Sequence, residues 1–292
     1  MAIKSVGIIG AGLMGGGIAQ VCAVHGMRVC IYDANAGAAE RALSTIQRRL
    51  EREVQRSRIT ADTASRADEL INPGYTVEEV AGADLIIEAI VEDLEVKRSL
   101  FRQLGAAVAP ETILASNTSS LPLSELAAAS GRADRVVGLH FFNPPYALRL
   151  VEVVPNDSTS QETLDAALAF CDAIDRVTVR VKDAPGFIVN RLLVPYIFDA
   201  IHLVDGGVGT ALDVDQACTT GLGHAMGPIA TADLIGLDTL LFISESMFEE
   251  FGEPRFKAPT SLRRLVSLGH LGRKSGRGYF DYSAAVPAGV GD

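Results

Sequence analysis

A chain of 292 residues allows one or two domains, each large enough for its own core, and 48% hydrophobic with 21% charged residues is a soluble globular composition. With 26 Lys and Arg against 36 Asp and Glu, the net charge of −10 argues against bulk nucleic-acid binding and leaves room only for local basic patches. Four Cys (Cys22, Cys30, Cys171, Cys218) without CxxC spacing argue against a zinc site or a disulfide framework and suit a reducing cytoplasm; no signal peptide and no membrane-length apolar run is visible.

In chain order, residues 5–10 read as a buried strand, 13–25 as a helix and 28–33 as a second strand. A long helix is expected over 36–56. Apolar runs at 85–90, 112–116 and 135–141 read as further strands, with a helical pattern over 94–108. Continuous apolar runs separated by helices signal a parallel sheet covered on both faces. Residues 150–154 follow an Asn143-Pro144-Pro145 turn, so the strands on either side are expected to pair as a hairpin. A helix over 160–174 and a last strand over 176–181 complete this part. Asp183-Ala184-Pro185-Gly186 then reads as a helix start, with Asp183 as N-cap and Pro185 in the first turn. Beyond it only helical patterns remain, over 187–204, 214–220, 236–251 and 260–268. The expected fold class is α/β: a doubly wound sheet over 1–184, followed by a smaller all-helical domain over 185–292. The cleft between such domains is a common ligand site. The Ala/Gly-rich tail at 284–291 is expected to fray.

The segment GAGLMGGGIAQ (residues 10–20) joins the first strand to the first helix. Gly10, Gly12 and Gly15 form G-x-G-x-x-G at that junction. The first Gly permits a tight turn, the second lets backbone approach a pyrophosphate, and the third packs helix on strand. Leu13 and Met14 open the helix, whose free N–H groups and positive dipole end suit phosphates. Asp33 ends the second strand, 18 residues after Gly15. That is close to the ~20-residue spacing of an acid that binds the adenosine ribose diol. An acid there repels a 2′-phosphate, so the expected cofactor is NAD rather than NADP. The competing reading is a Gly-rich turn with a capping Asp and no ligand. Loop, strand–helix context and acid agree on a Rossmann-type dinucleotide domain.

Six further motifs stand in order: ASNTSSLPLSELA (115–127), GLHFFNP (138–144), LVEVV (150–154), DAPGFIVNRLL (183–193), MGPIATADLIGLDT (226–239) and LGRKSGRGYFDY (271–282). With the glycine loop they resemble the 3-hydroxyacyl-CoA dehydrogenase family, especially its short bacterial 3-hydroxybutyryl-CoA members, over almost the whole chain. The resemblance implies NAD-dependent oxidation of L-3-hydroxyacyl thioesters to 3-ketoacyl thioesters. It also implies a homodimer, expected through the C-terminal helical domain, with an acyl-CoA substrate; the composition leads to the expectation of a cytoplasmic protein with no nucleic-acid or membrane partner.

The implied chemistry needs a base for the hydroxyl proton, and histidine titrates near neutrality. Read alone, His140 fits a satisfied buried histidine; the HFFNP motif assigns it the base. Glu152, of the same strand parity, is implied as the acid that orients its ring. Ser119 and Asn190 match the family's two donors to the substrate oxygen, although an isolated Ser or Asn is more simply a turn cap or a surface amide. Glu92 and Lys97 match positions that meet the nicotinamide ribose region, and also fit a solvated helix start. Asn143 and Lys274 resemble further cofactor contacts. The basic cluster Arg48, Arg49 and Arg52, with Arg41 and Arg56 near it, lies where the family binds the adenine-phosphate end of CoA. An acidic carrier protein or a merely solvated face fits the same cluster.

The chain departs from the family pattern at Tyr146 (usually Pro), Leu148 (usually Met), Gly223 (usually Asn) and Ala225 (usually Pro). Acyl chain length and thiol carrier therefore stay open. The enzymatic alternatives keep the hydride chemistry on an acyl carrier protein thioester or a free hydroxy acid. An NAD-binding structural or sensing protein is the non-enzymatic one.

Overall fold

The computed structural model describes residues 3–283, and the tail at 284–291 lies outside them. The first part comprises β1 (Ser5–Ile9), α1 (Leu13–Val24), β2 (Arg28–Tyr32), α2 (Ala38–Gln55), α3 (Ala61–Leu70), β3 (Ile71–Pro73), α4 (Val77–Val80) and β4 (Leu85–Glu88). It continues with α5 (Leu94–Ala107), β5 (Ile113–Ser116), α6 (Leu123–Ser130), β6 (Val136–Phe141), β7 (Leu150–Pro155), α7 (Gln161–Ala173) and β8 (Val177–Arg180). One sheet results, ordered β3-β2-β1-β4-β5-β6-β7-β8. Its first six strands run parallel; β7 is antiparallel to β6, and β8 is parallel to β7. From β1 the chain builds outward first to one side and then, from β4, to the other. The carboxyl ends of β1 and β4 thus flank a topological switch point, where open α/β sheets bind ligands.

Every residue of β4, β5 and β6 is buried. Sheets covered on both faces select such unbroken apolar runs, which is why these strands were visible in the sequence. On α2, buried Ala39, Ala42, Ile46 and Leu50 form one helical stripe and the opposite face is charged. The elements α3, β3, α4 and α6 were not anticipated. They are short, and α3 buries only Ala67, so it shows no apolar stripe.

The chain divides into two compact units after Ala184. The second comprises α8 (Val189–Asp205), α9 (Ala211–Gly221), α10 (Pro228–Ile235), α11 (Leu237–Phe251) and α12 (Thr260–Ser267). Phe198, Ile201, Ile229, Leu240, Met247, Phe256 and Leu262 belong to its own core. The helix expected from Asp183 starts later, at Val189. Gly186 and Phe187 have φ of 75° and 46°, which no right-handed helix accommodates. Asp183 instead accepts the backbone N–H groups of Leu123 (3.1 Å) and Ser124 (2.9 Å), in the first turn of α6. It is a cap, but of another helix, 60 residues upstream of it.

Candidate active site

At the end of β1 the chain turns through Gly10, whose φ of 104° excludes a side chain. Its N–H donates to the Tyr32 carbonyl at 2.8 Å, tying the turn to the end of β2. A Cβ on Gly15 would stand 1.8 Å from the Gly10 oxygen, so α1 packs directly on the turn. Gly12 differs: a Cβ there would meet nothing within 4 Å. No side chain caps the start of α1. Bare backbone, open space and uncapped N–H groups are what a pyrophosphate requires, and Leu13 (exposed) and Met14 (half-buried) border it. Asp33 Oδ2 accepts the Ala11 N–H at 2.8 Å, and its Oδ1 accepts the Asn35 N–H at 2.8 Å. The acid therefore braces the glycine loop and stands beside it. These residues fit a dinucleotide.

The β6–β7 register pairs His140 with Glu152 directly. His140 Nδ1 lies 2.7 Å from Glu152 Oε2, and both residues are buried. A carboxylate only accepts, so Nδ1 is the donor of this bond, and in the neutral ring that arrangement leaves the lone pair on Nε2. Ser119 Oγ lies 3.1 Å from that Nε2. Ser119 belongs to the loop after β5, which is fastened to β6 because Asn117 Oδ1 accepts the Phe141 N–H at 2.9 Å. The Phe142 ring packs against the imidazole at 4.5 Å. Such a histidine can take a proton on Nε2 while Glu152 stabilises the resulting imidazolium.

Glu92 and Lys97 are not a solvated helix start. Lys97 is buried and bridges two carboxylates, Glu88 Oε1 at 2.6 Å and Glu92 Oε2 at 2.9 Å. Glu92 Oε1 accepts the Thr118 hydroxyl (2.5 Å), the Ser119 N–H (2.9 Å) and the Ser120 hydroxyl (3.3 Å). Burial alone would raise the Glu92 carboxyl, but Lys97 and the bonds from Thr118 and Ser119 hold it below the ordinary carboxylate value. Burial likewise works against the Lys97 charge, yet Glu88 and Glu92 hold its ammonium above the usual lysine value. The sequence reading missed Glu88 and its partner Ser116, whose hydroxyl donates to Glu88 Oε2 at 2.6 Å. The available signal was an acid inside the run Leu85–Glu88, since a buried charge must be paired.

The remaining candidates lie on other elements. Asn143 is exposed in the loop after β6, and Asn190 is half-buried at the second position of α8. Lys274 pairs with Asp238 at 2.6 Å within the second unit. Arg48 and Arg52 are exposed on α2. Arg49 is half-buried, its guanidinium stacked 5.1 Å over the Tyr146 ring.

Comparison with known proteins joins these features. The family model for the NAD-binding domain of 3-hydroxyacyl-CoA dehydrogenase matches residues 5–184, and that for the C-terminal domain matches 186–282. A probable 3-hydroxybutyryl-CoA dehydrogenase of Bacillus subtilis is 42% identical over 97% of this chain and 98% of its own. The crystal structure of Mycobacterium tuberculosis FadB2 superposes with a TM-score of 0.94 at 42% identity, covering 97% of this chain and 100% of that one. The (S)-3-hydroxybutyryl-CoA dehydrogenase PaaH1 of Ralstonia eutropha gives a TM-score of 0.90 at 37% identity, over 96% and 99%. With the glycine cradle in one unit and family matches spanning both, the chain belongs to the 3-hydroxyacyl-CoA dehydrogenase family.

Proposed function

We propose that the protein catalyses NAD-dependent interconversion of L-3-hydroxyacyl-CoA and 3-ketoacyl-CoA, with short chains such as 3-hydroxybutyryl-CoA as substrate. The observation that carries this reading is the Ser119–His140–Glu152 chain of hydrogen bonds, with His140 and Glu152 buried and Ser119 half-buried, in a sheet whose switch point carries a dinucleotide cradle. In the oxidative direction His140 Nε2 takes the hydroxyl proton while the carbon–oxygen double bond forms. Glu152 holds the ring tautomer and stabilises the charge. Ser119 donates a hydrogen bond to the developing oxyanion, and the family resemblance assigns Asn190 a second donor. NAD, when bound, supplies the hydride acceptor. Gly10, Gly12, Leu13, Met14 and Gly15 would hold its pyrophosphate and Asp33 its ribose diol. Glu92, Lys97, Asn143 and Lys274 are assigned to the rest of it by the same resemblance.

The test is a substrate panel with purified protein: acetoacetyl-CoA, a longer ketoacyl-CoA, an acyl carrier protein thioester and free keto acids. Acetoacetyl-CoA with NADH is expected to turn over fastest, with NADH preferred to NADPH by at least tenfold, about 1.4 kcal/mol. Faster turnover of the carrier-protein thioester would move the substrate class. No turnover of any member would leave an NAD-binding protein.

We infer further a cytoplasmic homodimer formed through the C-terminal unit. Leu192, Val208, Leu212 and Leu222 there are each at least 64% exposed, apolar side chains of the kind that a partner subunit covers. No helix of the described residues is long and apolar enough to cross a membrane, and the four thiols are free. A monomer mass by light scattering would refute the dimer.

A further inference from the structure

Lys97 neutralises only one of the two carboxylates that share it. With both carboxylates ionised, the Glu88–Lys97–Glu92 cluster holds one net negative charge. Glu88 is fully buried and its hydrogen bonds suit the ionised form: Lys97 and the Ile90 N–H donate to Oε1, and the Ser116 hydroxyl donates to Oε2. Burying an unbalanced charge is costly, so its presence asks for a reason. Shaping the loop after β5 does not supply one. Thr118, Ser119 and Ser120 all bond to Glu92, which the Lys97 pair alone would hold. The Glu88 side chain meets that loop through Ser116, whose hydroxyl accepts the Thr118 N–H at 3.2 Å, and the Glu88 backbone carbonyl accepts the Asn117 N–H at 2.9 Å, a bond that needs no side-chain charge. A neutral amide would hold that hydroxyl as well.

The cluster meets the reacting centre through Glu92, which accepts the Ser119 N–H, and through Ser119 Oγ against His140 Nε2, with Glu88 one ammonium further back across Lys97. On the function proposed above, the carbinol carbon sits where Ser119 and His140 reach its oxygen. Hydride transfer requires the nicotinamide against that same carbon. Its ring is cationic when oxidised and neutral when reduced, and a fixed negative charge in a water-poor site distinguishes the two. We propose that Glu88 supplies the charge that biases this protein toward NAD⁺ over NADH, and so draws the bound equilibrium toward NAD⁺ and the hydroxyacyl thioester. Glu88 is a positioning and electrostatic residue; it touches neither substrate nor cofactor in this assignment.

The experiment is a titration of the whole protein with NAD⁺ and with NADH separately, without acyl substrate, in wild type, Glu88→Gln and Ser116→Ala. Glu88→Gln keeps the shape and removes the charge. It should raise Kd for NAD⁺ at least threefold and leave Kd for NADH within twofold. Ser116→Ala keeps the charge and disturbs the packing, so it should move both constants by the same factor. Equal weakening of both nucleotides in Glu88→Gln, or no change in either, overturns the proposal. Should Glu88→Gln fail to fold, Glu88→Asp keeps the charge and must keep the wild-type ratio of the two constants, and a shifted ratio there overturns the proposal. If wild type reduces acetoacetyl-CoA with NADH while the Kd ratio ignores Glu88, only this inference falls. If wild type binds neither nucleotide, the cofactor reading falls with it.

Discussion

His140 and Glu152 occupy facing positions of an antiparallel pair, so neither side chain reaches the other by chance. Replacing His140 by Gln removes the proton acceptor of the Ser119–His140–Glu152 chain. The expected loss in kcat is ~10²–10⁴-fold, the range for a general base. NADH affinity should stay nearly unchanged, which fluorescence titration of the same sample would check. Glu152→Gln should also lower kcat, because an amide no longer stabilises the imidazolium. Full turnover by His140→Gln would exclude the mechanism. The pairing was legible, because strand parity placed both residues on one face; the role proposed for it comes from the family motif. Glu88 was not legible as a partner of Lys97, because it lies on β4 and Lys97 on α5. Only folding shows that one ammonium serves Glu88 and Glu92 together.

The junction of β1 and α1 separates structural from ligand-related glycines. Gly15→Ala places a methyl 1.8 Å from the Gly10 oxygen, a backbone atom that cannot swing aside. Overpacking of this kind costs ~1–3 kcal/mol, so thermal unfolding should shift clearly downward. Gly12→Ala meets open space and should leave the melting temperature close to wild type. Its methyl intrudes where a pyrophosphate would lie, so Kd for NADH should rise tenfold or more. Equal melting temperatures with equal NADH affinity in both variants would dissolve the distinction. The sequence motif grouped these glycines, whereas contact geometry assigns each its task. The same limit explains the other differences. Strands buried on both faces announce themselves as apolar runs, and so does the amphipathic α2. Short elements such as β3 and α4 are stabilised by neighbours distant in sequence. Asp183 shows the ambiguity well: a capping residue was recognised, but the helix it caps precedes it by many residues.

Across the whole molecule, a net charge of −10 repels a polyanionic thioester such as CoA. The exposed Arg48 and Arg52 on α2 counter that field locally, one helical turn apart on the same face. Arg49 is set apart from them by its stack on Tyr146, so its loss would disturb packing as well as charge. Arg48→Ala with Arg52→Ala is therefore the cleaner test. If this face meets the phosphates of CoA, the double variant should raise KM for acetoacetyl-CoA several-fold with kcat little changed. KM for a truncated thioester lacking the nucleotide should stay put. Added salt should weaken the wild-type protein's hold on CoA substrates for the same reason, because exposed charges are screened beyond about 8–10 Å at moderate ionic strength. The double variant should show a shallower salt dependence than wild type. If both substrates respond alike and weakly, the face is merely solvated. If the double variant instead loses activity chiefly toward an acyl carrier protein thioester, the basic face docks a protein, and the chemistry at His140 serves carrier-bound substrates.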